Sequence, residues 1–276
     1  MKHFLRLTDF SRSEILDIFR IADEVREGGY SDFLKGKSIV LFFPDTSIRT
    51  RLTFEKGVFQ LSGQTILFPP QTLDKKEDLR DVCGYLNQWA DLLVIRQGNL
   101  KKLEYMSQYA KIPIINAMTD CNHPCEILSD LYALSKCRDD FLNDHYLFSG
   151  LRGNIGLAWK EASDALGLYL EQCCPKGYEI EELVWHEKAE SAIVGKDIIC
   201  TDSIPAEMIH SFRDCQITKE LMDQANSCAV LNPCPPFYRG EEVSQEVMES
   251  DYFVGYEFKS HLLEIQQAII IYCLLR

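Results

Sequence analysis

Arginine, hydroxyl and imidazole side chains recur in this chain just after apolar runs, where a group can be held firmly and still meet a ligand. The densest such stretch is Pro44-Asp45-Thr46-Ser47-Ile48-Arg49-Thr50-Arg51. Ahead of it, Ser38 to Phe43 reads as a buried strand stopped by Pro44. Behind it, Leu52, Phe54, Val58, Phe59 and Leu61 recur at roughly helical spacing. A strand feeding a helix N-terminus turns the first helical amides, which lack intrahelical acceptors, toward the loop, and the helix dipole adds partial positive charge. Ser47 and Thr50 add hydroxyl donors, and Arg49 can fork two hydrogen bonds onto a phosphate or carboxylate. The same residues also suit a capped surface helix with salt-bridged arginines, so the stretch alone leaves both readings open.

Other groups stand at comparable places. Arg96 ends the apolar run Asp91 to Ile95, where its charge needs either a structural ion-pair partner or an anion shared with Arg49. Cys121-Asn122-His123-Pro124-Cys125-Glu126 admits three readings. It could begin a zinc site, although no second ligand pair follows at suitable spacing. His123 could instead cap a helix, or donate to a substrate carbonyl while Glu126 accepts from a substrate NH2. A carboxylate beside a bound anion should be pushed up in pKa by burial and like charge, so that activity falls as pH rises. Gly150 to Gly156 has Gly-x-x-Gly-x-x-Gly spacing, which is wrong for a dinucleotide loop. Lys75 and Lys76 would ordinarily be a solvated pair on a loop.

The elements that must position these groups alternate. Ser11-Arg12-Ser13-Glu14 is a capping-box pattern opening a helix with Ile15, Ile18, Phe19, Ala22 and Val25 on one face. Short apolar strands at Thr65–Phe68, Asp91–Ile95, Ile112–Asn116, Tyr146–Ser149, Leu168–Cys174, Asp197–Thr201 and Ala229–Leu231, with a weaker one at Asp251–Gly255, are separated by helical or loop segments. This predicts an α/β chain of two doubly wound parallel-sheet domains joined by interdomain helices. The boundaries fall at 1–140, with a C-terminal helix over 260–276 packing back, and 141–259. In such sheets ligands gather at the carboxyl ends of strands, and Ser47–Arg51, Arg96, Asp120–Glu126, Gly150–Asn154, Asp202 and Asn232–Arg239 all follow expected strand ends. A charge balance of 29 basic to 42 acidic residues, net −13, argues against nonspecific nucleic-acid binding. No apolar run reaches membrane-spanning length. The N-terminus lacks a signal-peptide pattern, and eleven scattered cysteines read as reduced thiols in a cytoplasm.

Taken in order, Ser47-Ile-Arg-Thr-Arg51, Val94-Ile-Arg96, Asn116 through Asp120, His123-Pro-Cys125, Pro175-Lys-Gly-Tyr-Glu179, Thr201-Asp-Ser203 and Arg239-Gly-Glu-Glu-Val243 form a set that resembles the aspartate/ornithine carbamoyltransferase family over nearly the whole chain. Ile112–Asp120 and Pro175–Glu179 look closest to the ornithine branch, and Leu73–Lys76 looks more like the aspartate branch. The resemblance implies transfer of a carbamoyl group from carbamoyl phosphate to an ornithine-like or other amine, with release of phosphate and without cofactor or metal. It implies a homotrimer whose sites lie between subunits, with Thr72, Lys75 and Lys76 on a loop reaching the neighbour. Ser47, Ile48, Arg49, Thr50, Arg96, His123 and Glu126 would bind carbamoyl phosphate, Arg49, Thr50, Arg96 and His123 acting in catalysis. Asn154, Asp202, Cys234 and Pro235 would bind the acceptor.

The departures from the family pattern are specific. Ser-Thr-Arg-Thr is Ser47-Ile48-Arg49-Thr50, and the glutamine of His-Pro-x-Gln is Glu126. Ser-Met-Gly of the ornithine branch is Ala206-Glu207-Met208. His-Cys-Leu-Pro is Asn232-Pro233-Cys234-Pro235, followed by Pro236-Phe237-Tyr238, which could line an acceptor pocket or merely pack the loop. The ornithine branch's C-terminal arginine has no counterpart, Lys259 or His261 standing closest. The donor half is thus mostly retained and the acceptor half rewritten. An impaired paralogue with a binding or regulatory role, or an enzyme of another acyl phosphate, are the competing readings.

Overall fold

The computed structural model describes all 276 residues, which divide into two compact units, 1–133 with 259–276 and 134–258. The first unit begins with α1 (Arg12–Arg26), whose Ser11 hydroxyl accepts from the Glu14 amide while Glu14 accepts from the Ser11 amide at 2.9 Å, the capping box expected there. Then β1 (Ser38–Phe42), α2 (Arg49–Gln60), β2 (Gln64–Phe68), α3 (Leu79–Trp89), β3 (Leu92–Arg96), α4 (Leu100–Ser107) and β4 (Ile114–Met118) alternate. The strands form one parallel sheet in the order β2-β1-β3-β4. Val40, Phe42, Leu93 and Ile95 bury one face of its centre against Leu100, Leu103 and Met106 of α4 and Cys83 of α3. Ile39, Leu41, Leu92 and Val94 on the opposite face are equally buried, which is why β1 and β3 read as unbroken apolar runs.

At the outer edge of β4 the segment around Phe4 supplies a second neighbour: the Phe4 amide donates to the Ile114 carbonyl and the Asn116 amide donates to the Phe4 carbonyl, both at 2.8 Å. Pro113 lies just before the strand, so its missing N–H removes no ladder bond. After β4, Asn116 Nδ2 and Thr119 Oγ1 both donate to Asn122 Oδ1, at 2.7 and 2.8 Å. Asn116 Nδ2 and Asn122 Nδ2 also donate to the Leu5 carbonyl. This buried network fixes the loop that leads into α5 (Pro124–Cys137), which leaves the first unit at Ala133.

The second unit contains β5 (His145–Ser149), α6 (Asn154–Leu166), β6 (Tyr169–Cys173), β7 (Val184–His186), α7 (Ala189–Ala192), β8 (Ile198–Thr201), α8 (Lys219–Met222), β9 (Val230–Pro233), α9 (Gln245–Met248) and α10 (Gly255–Phe258). Its sheet is also parallel, ordered β7-β6-β5-β8-β9. Leu147, Ile199 and Leu231 pack with Ala192, Met222 and Val247 of the short helices. The chain then returns to the first unit and ends in α11 (Leu262–Leu275), buried nearly all round and packed on α1 and α2. No helix is long and apolar enough to cross a membrane.

Local patterning missed or misassigned three pieces. β7 is three residues long and only partly buried, so it carries no periodic signal. Asp251–Gly255, expected as a strand, forms only a single bridge from Phe253 to Leu231. The polar loop at Gln71–Glu77 is in part a 3-10 turn, Pro70–Asp74, pinned by buried Leu73.

The Asn122 network is the support most exposed to a single change. Asn122→Ala removes the acceptor that Asn116 Nδ2 and Thr119 Oγ1 share in the interior and is expected to cost about 2–3 kcal/mol, read as a lowered urea midpoint at unchanged slope. Wild-type stability would show that the loop is held by packing alone.

Candidate active site

At the carboxyl edge of the first unit's sheet, β1 delivers Ser47, Ile48, Arg49 and Thr50 through a tight loop in which the Ser47 amide donates to the Pro44 carbonyl at 3.0 Å. Ser47 and Thr50 are buried, and Arg49 opens α2 at the surface. Ile48 is the N-cap and, having no polar side chain, leaves the first amides of α2 uncapped, and no acidic residue stands in the first turn. Its side chain points out, 73% exposed, so any part it plays at this site is through its backbone. Arg51 is drawn back along the helix to Glu55 at 2.6 Å.

β3 delivers Arg96. Its Nη1 donates to Ser47 Oγ at 3.0 Å, joining residues from adjacent strands. Burial and the charge of Arg49 push the Arg96 pKa below its usual value, against the pull of Glu126, yet a guanidinium remains protonated. Two cations are therefore held in electrostatic reach of each other beside uncapped helical amides, an arrangement suited to an anion.

The loop after β4 places His123 immediately ahead of Pro124, the first residue of α5. The imidazole is buried, with Nδ1 lacking a hydrogen-bond partner. Burial pushes its pKa down to about 4; Glu126 opposes this, whereas Arg96 and Lys259 reinforce it. The ring is thus neutral at pH 7 and has one N–H to give without bringing charge. In the first turn of α5, Glu126 is also buried, and Lys259 approaches its Oε1 to 3.2 Å and Asp130 Oδ1 to 2.6 Å. Burial raises the Glu126 pKa, but Lys259, His123 and Arg49 outweigh it and hold the carboxyl below its ordinary value. A cation over a hundred residues away in the chain thus opposes the upward shift that burial and a bound anion would impose on Glu126. His261, the other residue standing near the expected arginine, lies edge-on to Tyr132 at 5.4 Å and 3.8 Å from Glu264.

The hydrogen bonds and ion pairs of this cluster do not include the loop residues Thr72, Lys75 and Lys76. Thr72 Oγ1 donates to the Pro69 carbonyl at 2.6 Å, and both lysines are exposed. The sequence offered Lys259 only as a residue near the missing arginine, and Asp130 not at all. The available signal was Glu126 and Asp130 four apart on one helical face, a like-charge pair that requires a cation once buried.

In the second unit, Asn154 opens α6 after Gly153. A Cβ added at Gly153 would stand 3.9 Å from Asp202 Oδ2, so β5 and β8 bring Asn154 and Asp202 into one neighbourhood. The Ser203 amide fixes Asp202 Oδ1 at 2.9 Å. Cys234 is buried, its amide donating to the Thr201 carbonyl at 3.0 Å, which sets Cys234 and Pro235 next to the end of β8. The following loop is pinned by fully buried Glu242, which accepts from the Tyr238 amide at 2.7 Å. Burial, with Glu241 and Asp202 adding to it, pushes Glu242 up to about 7. Phe237 packs edge-on against Phe253 at 5.9 Å, whereas Tyr238 stays half exposed. Tyr178 Oη donates to Met208 Sδ at 3.2 Å, linking the turn after β6 to the segment that departs from the ornithine pattern.

The shift of His123 has a definite sign. An unfolded histidine binds its proton near pH 6.5 and the folded one near 4, so stability falls as pH drops through that window. Among the six histidines, the ring of His123 is expected to show no NMR titration between pH 5.5 and 8, with assignment by His123→Asn. A midpoint near 6.5 would mean the ring is solvated.

The model of the aspartate/ornithine carbamoyltransferase carbamoyl-P binding domain matches residues 2–136, and that of the Asp/Orn binding domain matches residues 146–273. An ornithine carbamoyltransferase of Oleidesulfovibrio alaskensis is 30% identical over 98% of this chain and 97% of its own. The crystal structure of ornithine carbamoyltransferase from Burkholderia thailandensis superposes with a TM-score of 0.91 at 25% identity, covering 100% of this chain and 99% of the other. The anabolic ornithine carbamoyltransferase of Campylobacter jejuni gives 0.90 at 26% identity, covering 99% of each chain.

Proposed function

The chain belongs to the aspartate/ornithine carbamoyltransferase family and is a carbamoyltransferase, and from that premise we propose that it carbamoylates an amine other than unmodified ornithine. The observation that carries the donor half is the meeting of Arg49, Arg96, Ser47 and neutral His123 at one strand edge. In this reading Ser47, Arg49, Thr50, Arg96 and the first amides of α2 hold the phosphate of carbamoyl phosphate. His123 donates to the carbamoyl oxygen, and Glu126 accepts from the carbamoyl NH2. The acceptor nitrogen forms its bond to the carbamoyl carbon as the C–O bond to phosphate breaks; the phosphate leaves with the electron pair, and the ammonium proton is lost. Fixed donors lower the barrier where the oxyanion develops, and the paired guanidiniums stabilise the leaving dianion. Neither a metal nor a covalent protein nucleophile is needed for these steps.

For the acceptor half, Asp202 suits a cationic group and Asn154 a carboxylate. The Ser-Met-Gly pattern of the ornithine branch is replaced by Ala206-Glu207-Met208, with Met208 tied to Tyr178, which supports a changed acceptor. Reduced thiols throughout suit a cytoplasmic reaction. We also place the chain in a homotrimer. All five residues of β2 are exposed, including Ile66, Leu67 and Phe68, and Leu52 and Phe59 of α2 are exposed as well. An open strand edge with such apolar surface needs a cover, and Lys75 and Lys76 would then serve the neighbour's site.

Three measurements test this. Arg49→Ala should weaken carbamoyl phosphate turnover or affinity by about a hundredfold or more, and unchanged calorimetric binding would remove the loop from the donor site. Phosphate release with a panel of amines at saturating carbamoyl phosphate should show ornithine as a poor acceptor and a better one whose kinetics collapse in Asp202→Asn. Efficient turnover of ornithine would mean that the Ala206–Met208 change was given too much weight. Mixing inactive Arg49→Ala with inactive Lys75→Ala/Lys76→Ala subunits should restore partial activity; a fully active monomer would exclude the shared site.

A further inference from the structure

The chain returns from the second unit at Lys259, and the first thing its side chain meets is the inward face of α5. Asp130, 2% exposed, takes the ammonium at 2.6 Å, and Glu126, 8% exposed, takes it at 3.2 Å. The two carboxylates lie four residues apart on α5, where like charges repel, and burial removes the solvent that would screen them. A structural counter-ion would be satisfied by Asp130 alone, the nearer partner. Glu126 is the more distant contact, and it is the one that also interacts with His123 and Arg49. Asp130 therefore acts as the anchor behind the ammonium, and Glu126 is the group the ammonium presents.

We propose that Lys259 is a positioning residue for the donor site: gripped by Asp130, its ammonium holds Oε1 of Glu126, so that Oε2 of the carboxylate accepts the N–H of the carbamoyl group. The inference rests on the carbamoyl phosphate reading above. A glutamine at position 126 would accept the same N–H through its neutral amide and need no counter-ion. A carboxylate there is also drawn toward Arg49 and Arg96, which would turn it away from the carbamoyl N–H. The Lys259 ammonium holds it on its own side instead. The lysine and the glutamate are thus a matched pair, 133 residues apart in sequence, and the consequence of losing the lysine depends on which residue occupies position 126.

Lys259→Met/Asp130→Asn removes one charge of each sign and leaves Glu126 unsupported. Calorimetric affinities for carbamoyl phosphate and for inorganic phosphate separate the carbamoyl end from the phosphate end. The pair of changes is expected to weaken carbamoyl phosphate at least about tenfold, with phosphate altered by less than about threefold. Introduced into Glu126→Gln, the same two changes should cost less than about threefold relative to Glu126→Gln itself, because coupled residues are non-additive. Equal losses for both ligands, or the same loss in both backgrounds, would reduce Lys259 to a structural ion and overturn the proposal. Wild-type protein that binds carbamoyl phosphate no tighter than phosphate would instead sink the donor reading itself. A crystal structure of the wild type with carbamoyl phosphate gives a check that needs no variant to fold. Glu126 should lie within hydrogen-bond distance of the carbamoyl nitrogen with Lys259 still on its other oxygen; a carboxylate turned away ends the proposal.

Discussion

Positive charge gathered at the edge of a buried parallel sheet is the constraint that organises the first unit. Arg96, itself half-buried, ends a strand whose preceding residues are fully buried. It is held by Ser47 from the adjacent strand's loop and feels Arg49 across that loop. Such a pair of cations is tolerable only with compensation close by. Part of it is supplied by Glu126, and the rest is the electrostatic pull toward an anion that this edge exerts. Parallel topology makes the arrangement possible, since it sets every strand's carboxyl end and the following helix's N-terminus on the same side.

The charges behind that edge form a graded series. Asp130 is the most deeply buried, Lys259 bridges it to Glu126, and Glu126 faces His123, Arg96 and Arg49. His123 remains neutral amid them because burial penalises its cation more than Glu126 rewards it. The cluster thus keeps its permanent charges on groups that stay ionised and leaves its imidazole uncharged. The rigid loop network of Asn116, Thr119 and Asn122 holds the imidazole in place without touching its charge. The same buried amides that fix the loop therefore also fix the imidazole.

The second unit solves a different problem with the same sheet. Its carboxyl edge carries Asp202 beside the N-terminus of α6, and a loop whose shape depends on buried Glu242. Phe237 packs partly buried against Phe253, and Tyr238 is the more exposed of the two aromatics in the proline-rich loop. Short helices and 3-10 turns after β8 replace a regular covering helix. This is the region in which the sequence departs most from the ornithine pattern.

The sequence alone determined the order of strands and helices and the groups standing at strand ends, because apolar runs, capping boxes and proline stops act within a few residues. Ser47, Arg49, Arg96 and His123 were legible for that reason, each following its own strand, and the family resemblance was legible in their order. What joins them was not. The Arg96–Ser47 bond depends on β1 and β3 being neighbours, and the clasp of Asn122 and Asn116 on the Leu5 carbonyl depends on the N-terminal segment lying along β4. β7 escaped notice because three residues, one exposed and two half-buried, have no period, and the exposure of β2 followed from its place at the edge of the sheet. The ammonium that meets Glu126 could come from tertiary structure alone. Local sequence shows only the burial and the bound anion that would raise the Glu126 pKa, and the opposing charge stands 133 residues away, since Coulomb energy depends on separation in space and not along the chain.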